Sequence, residues 1–122
     1  MRVSLARLRS AAAAVEHAPG PPRVPALRLF TGADCSLCDE LKAVLARSTQ
    51  PYTLESVDIG EKVHREWFRR YKWDIPVLHI DGKYFAKHRI QSVAELDSAL
   101  AEAARGEFIE REGEPDARGK SF

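Results

Sequence analysis

Phe30-Thr31-Gly32-Ala33-Asp34-Cys35-Ser36-Leu37-Cys38-Asp39-Glu40-Leu41 decides how this chain reads. It holds the only two cysteines of the sequence, spaced C-x-x-C, where an alternating run gives way to a helical pattern. Two thiols on the first turn of a helix can close a disulfide and reopen it. The N-terminal end of a helix carries a partial positive charge and unpaired N–H groups, both of which favour thiolate over thiol. The thiolate is the form that attacks disulfides. The arrangement therefore turns an ordinary cysteine into a nucleophile with a built-in leaving group.

The segments around this junction fix the element order. Ala26-Leu27-Arg28-Leu29-Phe30 alternates like a short strand and ends at Gly32. From Cys35 onward, Leu37, Leu41, Val44, Leu45 and Ser48 recur at helical spacing until Gln50-Pro51 stops the helix. Residues 52–59 read as a second strand, with Tyr52, Leu54 and Val57 as its apolar positions. Residues 61–71 read as a helix with Val63, Trp67, Phe68 and Tyr71 on its apolar side. A third strand is expected over 73–80, then the hairpin signal Asp81-Gly82 and a fourth strand over 83–85. Ser92-Val93-Ala94-Glu95 is a capping box opening a helix whose face is Val93, Leu96, Leu100 and Ala103. The order is β-α-β-α-β-β-α. A right-handed crossover makes the first two strands parallel, and the hairpin makes the last two antiparallel. This is an α/β chain with a four-stranded mixed sheet flanked by three helices.

The chain has 122 residues, enough for one domain of about 100 residues plus tails. Its net charge of +1 gives no reason to expect nucleic acid as a partner. No apolar run approaches the ~20 residues that a membrane span needs. Two cysteines cannot supply the multi-bridge framework of small secreted domains, so their pairing is expected to be catalytic and the setting reducing. Residues 1–25 contain Arg2, Arg7 and Arg9, with Glu16 as the one acid, and end in a Pro-rich stretch. They read as an organellar transit peptide or as a disordered extension, which makes the expected location mitochondrial or cytoplasmic. Residues 106–122 carry mixed charge and read as a flexible tail. The domain between them spans 26–105.

The order of elements, with C-x-x-C after the first strand and Ile75-Pro76-Val77 before the third, resembles the thioredoxin fold. More narrowly, Cys35-Ser36-Leu37-Cys38-Asp39-Glu40-Leu41-Lys42 and Asp74-Ile75-Pro76-Val77-Leu78 resemble the small glutaredoxin-like proteins whose redox site reads C-x-L-C-D-E. The resemblance covers about 80 residues and leaves out both tails. It implies that Cys35 is the exposed nucleophile, Cys38 the resolving thiol and Pro76 the proline that takes a cis bond beside the site. An X-Pro bond is the kind that adopts cis at low cost. Such a bond would turn the Ile75 backbone toward the sulfurs, making Ile75 and Pro76 the expected substrate-binding pair.

The implied activity is thiol–disulfide exchange through a Cys35–Cys38 disulfide. No bound cofactor is expected, and the electron donor is glutathione or a protein thiol. The expected partner is a disulfide-containing protein or a glutathione mixed disulfide, and the expected state is a monomer. The chain departs from the glutathione-using members of the family, which carry Pro-Tyr between the cysteines, a preceding Lys and a later Gly-Gly-x-Asp. Here those places hold Ser36-Leu37, Gly32-Ala33-Asp34 and Ala86-Lys87-His88-Arg89. Lys87, His88 and Arg89 are candidate replacement cations for a carboxylate. Asp34, Asp39 and Glu40 oppose a thiolate, so the Cys35 pKa is expected near thioredoxin's ~7 rather than the ~3.5 of a strong oxidant.

Two other readings use the same residues. Two thiolates with two of His64, His79 and His88 would make a tetrahedral zinc site, although their spacing is not that of a finger; an iron–sulfur cluster shared between two chains is a variant of it. A binding module on a thioredoxin scaffold would instead leave the cysteines idle and use Trp67, Trp73 and Tyr84, residues that also suit a core.

Overall fold

The computed structural model describes residues 23–119. Strand β1 (Ala26–Thr31) leads into helix α1 (Ser36–Ala46), followed by β2 (Thr53–Asp58). A 3-10 turn (Lys62–His64) opens into α2 (Arg65–Tyr71). Strands β3 (Val77–Ile80) and β4 (Lys83–Lys87) then precede helix α3 (Val93–Ala104). The strands form one sheet in the order β2-β1-β3-β4. β1 and β2 are parallel, while β3 is antiparallel to both β1 and β4. This is the thioredoxin-like α/β arrangement that the sequence pattern implies.

Period-2 alternation divides the core between the two faces. Leu27, Leu29, Leu78, Ile80 and Phe85 pack with Leu41 and Leu45 of α1 and Leu96, Ala99, Leu100 and Ala103 of α3. Phe30, Val57, Val77 and Tyr84 face the other way, onto Tyr71 of α2 and the half-buried Trp67. Phe30 meets Trp67 and Tyr71 at ring-centre distances of 4.5 and 4.9 Å. Val63 and Phe68, expected on the apolar side of this helix, are instead 82% and 46% exposed. The 3-10 opening explains part of this. Its different turn rotates Val63 away from the line through Trp67 and Tyr71.

The local signals take the predicted forms. Asp81 and Gly82 have φ of 51° and 79°, the two left-handed residues of a type I′ hairpin, and Ile80 pairs with Lys83 across them. Ser92 caps α3, its side chain accepting from the Glu95 N–H at 3.1 Å. The Glu95 carboxylate reaches back to the Gln91 N–H rather than to that of Ser92. β3 starts at Val77 instead of residue 73. Asp74 N–H still bonds to Tyr71 O at the end of α2, and Pro76 brings no N–H to a ladder.

The C-terminal segment corrects an expectation. Residues 106–119 form no helix or strand, yet they are not a free tail. Phe108 is 3% exposed within the main core, its ring edge-on to Phe85 at 5.9 Å. Arg111 N–H donates to Tyr84 O, and Tyr84 N–H donates to the Glu110 carboxylate, along the edge strand β4. Ala117 N–H then donates to Arg70 O of α2. Mixed charge hid this packing because the buried apolar residues, Phe108, Pro115 and Ala117, sit apart or singly among acids and arginines. The reading of 1–25 as an extension lies, up to residue 22, outside the described residues. Among the described residues no helix is long and apolar enough to cross a membrane.

Candidate active site at the N-terminus of α1

β1 ends at Thr31, and the turn through Asp34, itself left-handed at φ 53°, delivers Cys35 to the N-cap of α1. The Cys35 sulfur accepts from the Cys38 N–H at 3.1 Å, the position a serine or aspartate oxygen takes in an ordinary cap. The two sulfurs lie at disulfide distance, with Cα atoms 5.2 Å apart. Cys35 is half-buried, whereas Cys38 is 1% exposed beneath it. One sulfur is therefore open to a partner and the other shielded. Asp34, Asp39 and Glu40 are all exposed around them.

Sheet pairing brings the second part of the site alongside. In the antiparallel β1–β3 ladder Phe30 faces Val77, so the end of β1 lies beside the start of β3. The Ile75-Pro76 bond there is cis. A Cβ added at Gly32 would come within 2.9 Å of Ile75 Cδ1, so glycine at 32 is what lets the Ile75 side chain settle against the approach to Cys35. Pro76 itself is buried, and its carbonyl accepts from His88 N–H at 2.7 Å.

That bond ties in the run Lys87-His88-Arg89. All three side chains already face carboxylates. Lys87 Nζ donates to Asp74 Oδ1 at 3.2 Å, His88 Nε2 lies 3.8 Å from the same oxygen, and Arg89 Nε lies 3.6 Å from Glu40. Arg89 and Glu40 are both largely exposed, so theirs is the contact most easily exchanged for a ligand carboxylate.

The remaining candidates are dispersed. His64 Nδ1 lies 2.8 Å from Asp58 O, and His79 is buried in β3 on the α2 face. Among the described residues no three His, Cys, Asp or Glu side chains come together as metal ligands. Tyr84 is buried, Trp67 is half-buried in its ring cluster, and Trp73 is exposed beside Lys72. A cleft of about 340 Å³ between Leu27, Leu54 and Asp81 opens at the opposite end of the sheet from the cysteines.

A network that the sequence did not suggest joins β3, α2 and the C-terminal segment. Tyr71 O–H donates to Glu114 at 2.6 Å, and Arg70 donates to the same oxygen at 2.9 Å. A phenol has one proton, so the 3.1 Å contact between Tyr71 and His79 is a donation from His79 Nε2–H to the Tyr71 oxygen. Burial, followed by the bond to Glu114, raises the Tyr71 pKa far above its ordinary value. Burial lowers that of His79, and the opposing pull of Glu114 does not overcome it. Glu114 had no sequence signal, since it is one acid among several.

Comparison with known proteins bears on the family. A family model described as Glutaredoxin-like domain (DUF836) matches residues 26–101, which include both cysteines and Ile75-Pro76. The chain is 32% identical over 95 residues to a protein of Dictyostelium discoideum named Glutaredoxin-like protein YDR286C homolog. That match covers 70% of this chain and 88% of the relative.

Proposed function

This chain belongs to the glutaredoxin-like family, and from that premise we propose that it is a thiol–disulfide oxidoreductase cycling Cys35 and Cys38. The observation that carries the reading is the half-exposed Cys35 sulfur held at the N-cap of α1, at disulfide distance from a buried second sulfur. The Cys38 N–H directed at that sulfur, together with the helix terminus, stabilises a thiolate there.

The Cys35 thiolate attacks one sulfur of a substrate disulfide. A Cys35–substrate disulfide forms, and the other substrate sulfur leaves as a thiolate that takes up a proton. Cys38 then loses its proton and attacks Cys35 Sγ, which closes the Cys35–Cys38 disulfide and releases the second substrate thiol. The substrate has gained two electrons and two protons. Two molecules of glutathione, oxidised to their disulfide, or one protein dithiol restore the reduced pair. Ile75 and Pro76 serve as the substrate-facing backbone. The partner is a disulfide-containing protein or a glutathione mixed disulfide, met by a monomer in the mitochondrion or cytoplasm. The departures from the glutathione-using pattern, Ser36-Leu37 and Asp34, favour a protein partner.

The test is reduction of a small mixed disulfide by the full chain. Cys35→Ser is expected to abolish it, and Cys38→Ser to accumulate the enzyme–substrate mixed disulfide, read by mass. Wild-type turnover in Cys35→Ser would overturn the proposal.

A further inference from the structure

The parallel pairing of β1 and β2 carries a second loop to the dithiol end of the sheet. Thr31 pairs with Asp58, and Ile59 N–H donates to Thr31 O at 2.9 Å. The segment after β2 therefore leaves the sheet beside the one that leads to Cys35. Between this segment and α2 opens a cleft of about 430 Å³ lined by Ile59, Glu61, Lys62, Arg65, Phe68 and Arg69.

The lining combines two chemistries. Phe68, on α2, is 46% exposed, and Val63 next to the cleft's Lys62 is 82% exposed. Both lie in one helical segment, and the fold leaves them uncovered. Three cations line the cleft beside Phe68. Lys62 and Arg65 meet no carboxylate among the described residues, and Arg69 makes only a 3.7 Å contact with the exposed Glu66. Glu61 is the one acid in the lining, and its contact is with His64 at 3.6 Å. The cleft thus has excess positive charge around an exposed aromatic ring.

We infer that this cleft is a docking site for an acidic segment of the protein whose disulfide meets Cys35, a segment carrying a large apolar side chain among its carboxylates. Charge complementarity selects the acids, and Phe68 selects the apolar side chain. Nucleic acid is the less suitable occupant, because three cations beside an aliphatic and an aromatic surface offer little phosphate neutralisation. The inference rests on the proposed dithiol chemistry for its meaning, but the docking itself is testable without it.

The experiment measures fluorescence anisotropy of a labelled octapeptide of glutamates around one leucine, free of cysteine, titrated with the full chain. The expected result is binding that weakens with salt and is lost when lysines replace the glutamates. Arg65→Glu with Arg69→Glu should weaken it about tenfold, the sum of two exposed charge contacts. Phe68→Ser should weaken it several-fold while leaving the salt dependence in place. Both changes are at the surface, and a far-ultraviolet spectrum verifies the fold. Equal affinity for the acidic and basic peptides, or no effect of the double charge reversal, overturns the inference. Tighter binding of an oligonucleotide of equal charge also overturns it. Docking without any disulfide reduction by the wild type would instead count against the dithiol mechanism alone.

Discussion

Phe108→Ala separates a packed C-terminal segment from a loose one. Phe108 is 3% exposed, lies in the cluster that contains Leu96 and Leu100, and meets Phe85 edge-on. A buried phenylalanine removes about 150 Å² or more from water, and at about 25 cal/mol per Å² that is worth about 4 kcal/mol. Alanine retains part of this, and a segment without regular structure can partly collapse into the gap, so the expected loss is about 3 kcal/mol. With a urea slope of about 1.5 kcal/mol/M the unfolding midpoint falls by about 2 M. The assay is urea unfolding followed by tryptophan emission, since Trp67 lies stacked on Tyr71 in the opposite core layer. Ile109→Ala is the internal control. Its side chain is 80% exposed, and its removal should change stability by no more than about 0.5 kcal/mol. A Phe108→Ala loss no larger than that of the control would refute the packed segment and restore the sequence expectation of a flexible tail.

Ser92→Ala removes the oxygen that accepts from Glu95 N–H and should cost about 1 kcal/mol, read as a shifted urea midpoint with unchanged slope. Gly32→Ala forces Ile75 Cδ1 to move and should cost about 1 kcal/mol. Combining it with Ile75→Ala should cancel most of that strain, a coupling that a double-mutant cycle detects. The lowered pKa of buried His79 means that the folded state binds fewer protons than the unfolded chain below the ordinary 6.5. Its contribution is therefore complete above about pH 6.5 and is lost as pH falls through that value toward the lowered one. Unfolding midpoints between pH 7 and 5 should decline more steeply in the wild type than in His79→Gln, and identical slopes would contradict the assignment. The raised pKa of Tyr71 acts at the other extreme, with stability lost as pH climbs above its ordinary 10.0.

The closeness of the two cysteines, the order of elements, the hairpin at Asp81-Gly82 and the cap at Ser92 were legible in the chain itself. Each depends on residues within a few positions of one another. C-x-x-C places two sulfurs on one helical turn wherever the helix lies, and Asp-Gly forms its turn from its own dihedrals. Three features depended on contacts between distant segments. The sheet set β1 between β2 and β3, which brought Ile75-Pro76 against Gly32 and the loop after β2 to the cysteine end. Packing buried Phe108 and left Phe68 in solvent, although both are phenylalanines in charged surroundings. Glu114 acquired Tyr71 and Arg70 as partners only because the final segment crosses α2. Burial is set by which surface another element covers, and that is settled only once the chain has folded back on itself; local dihedral preference and helical spacing act before any such contact exists.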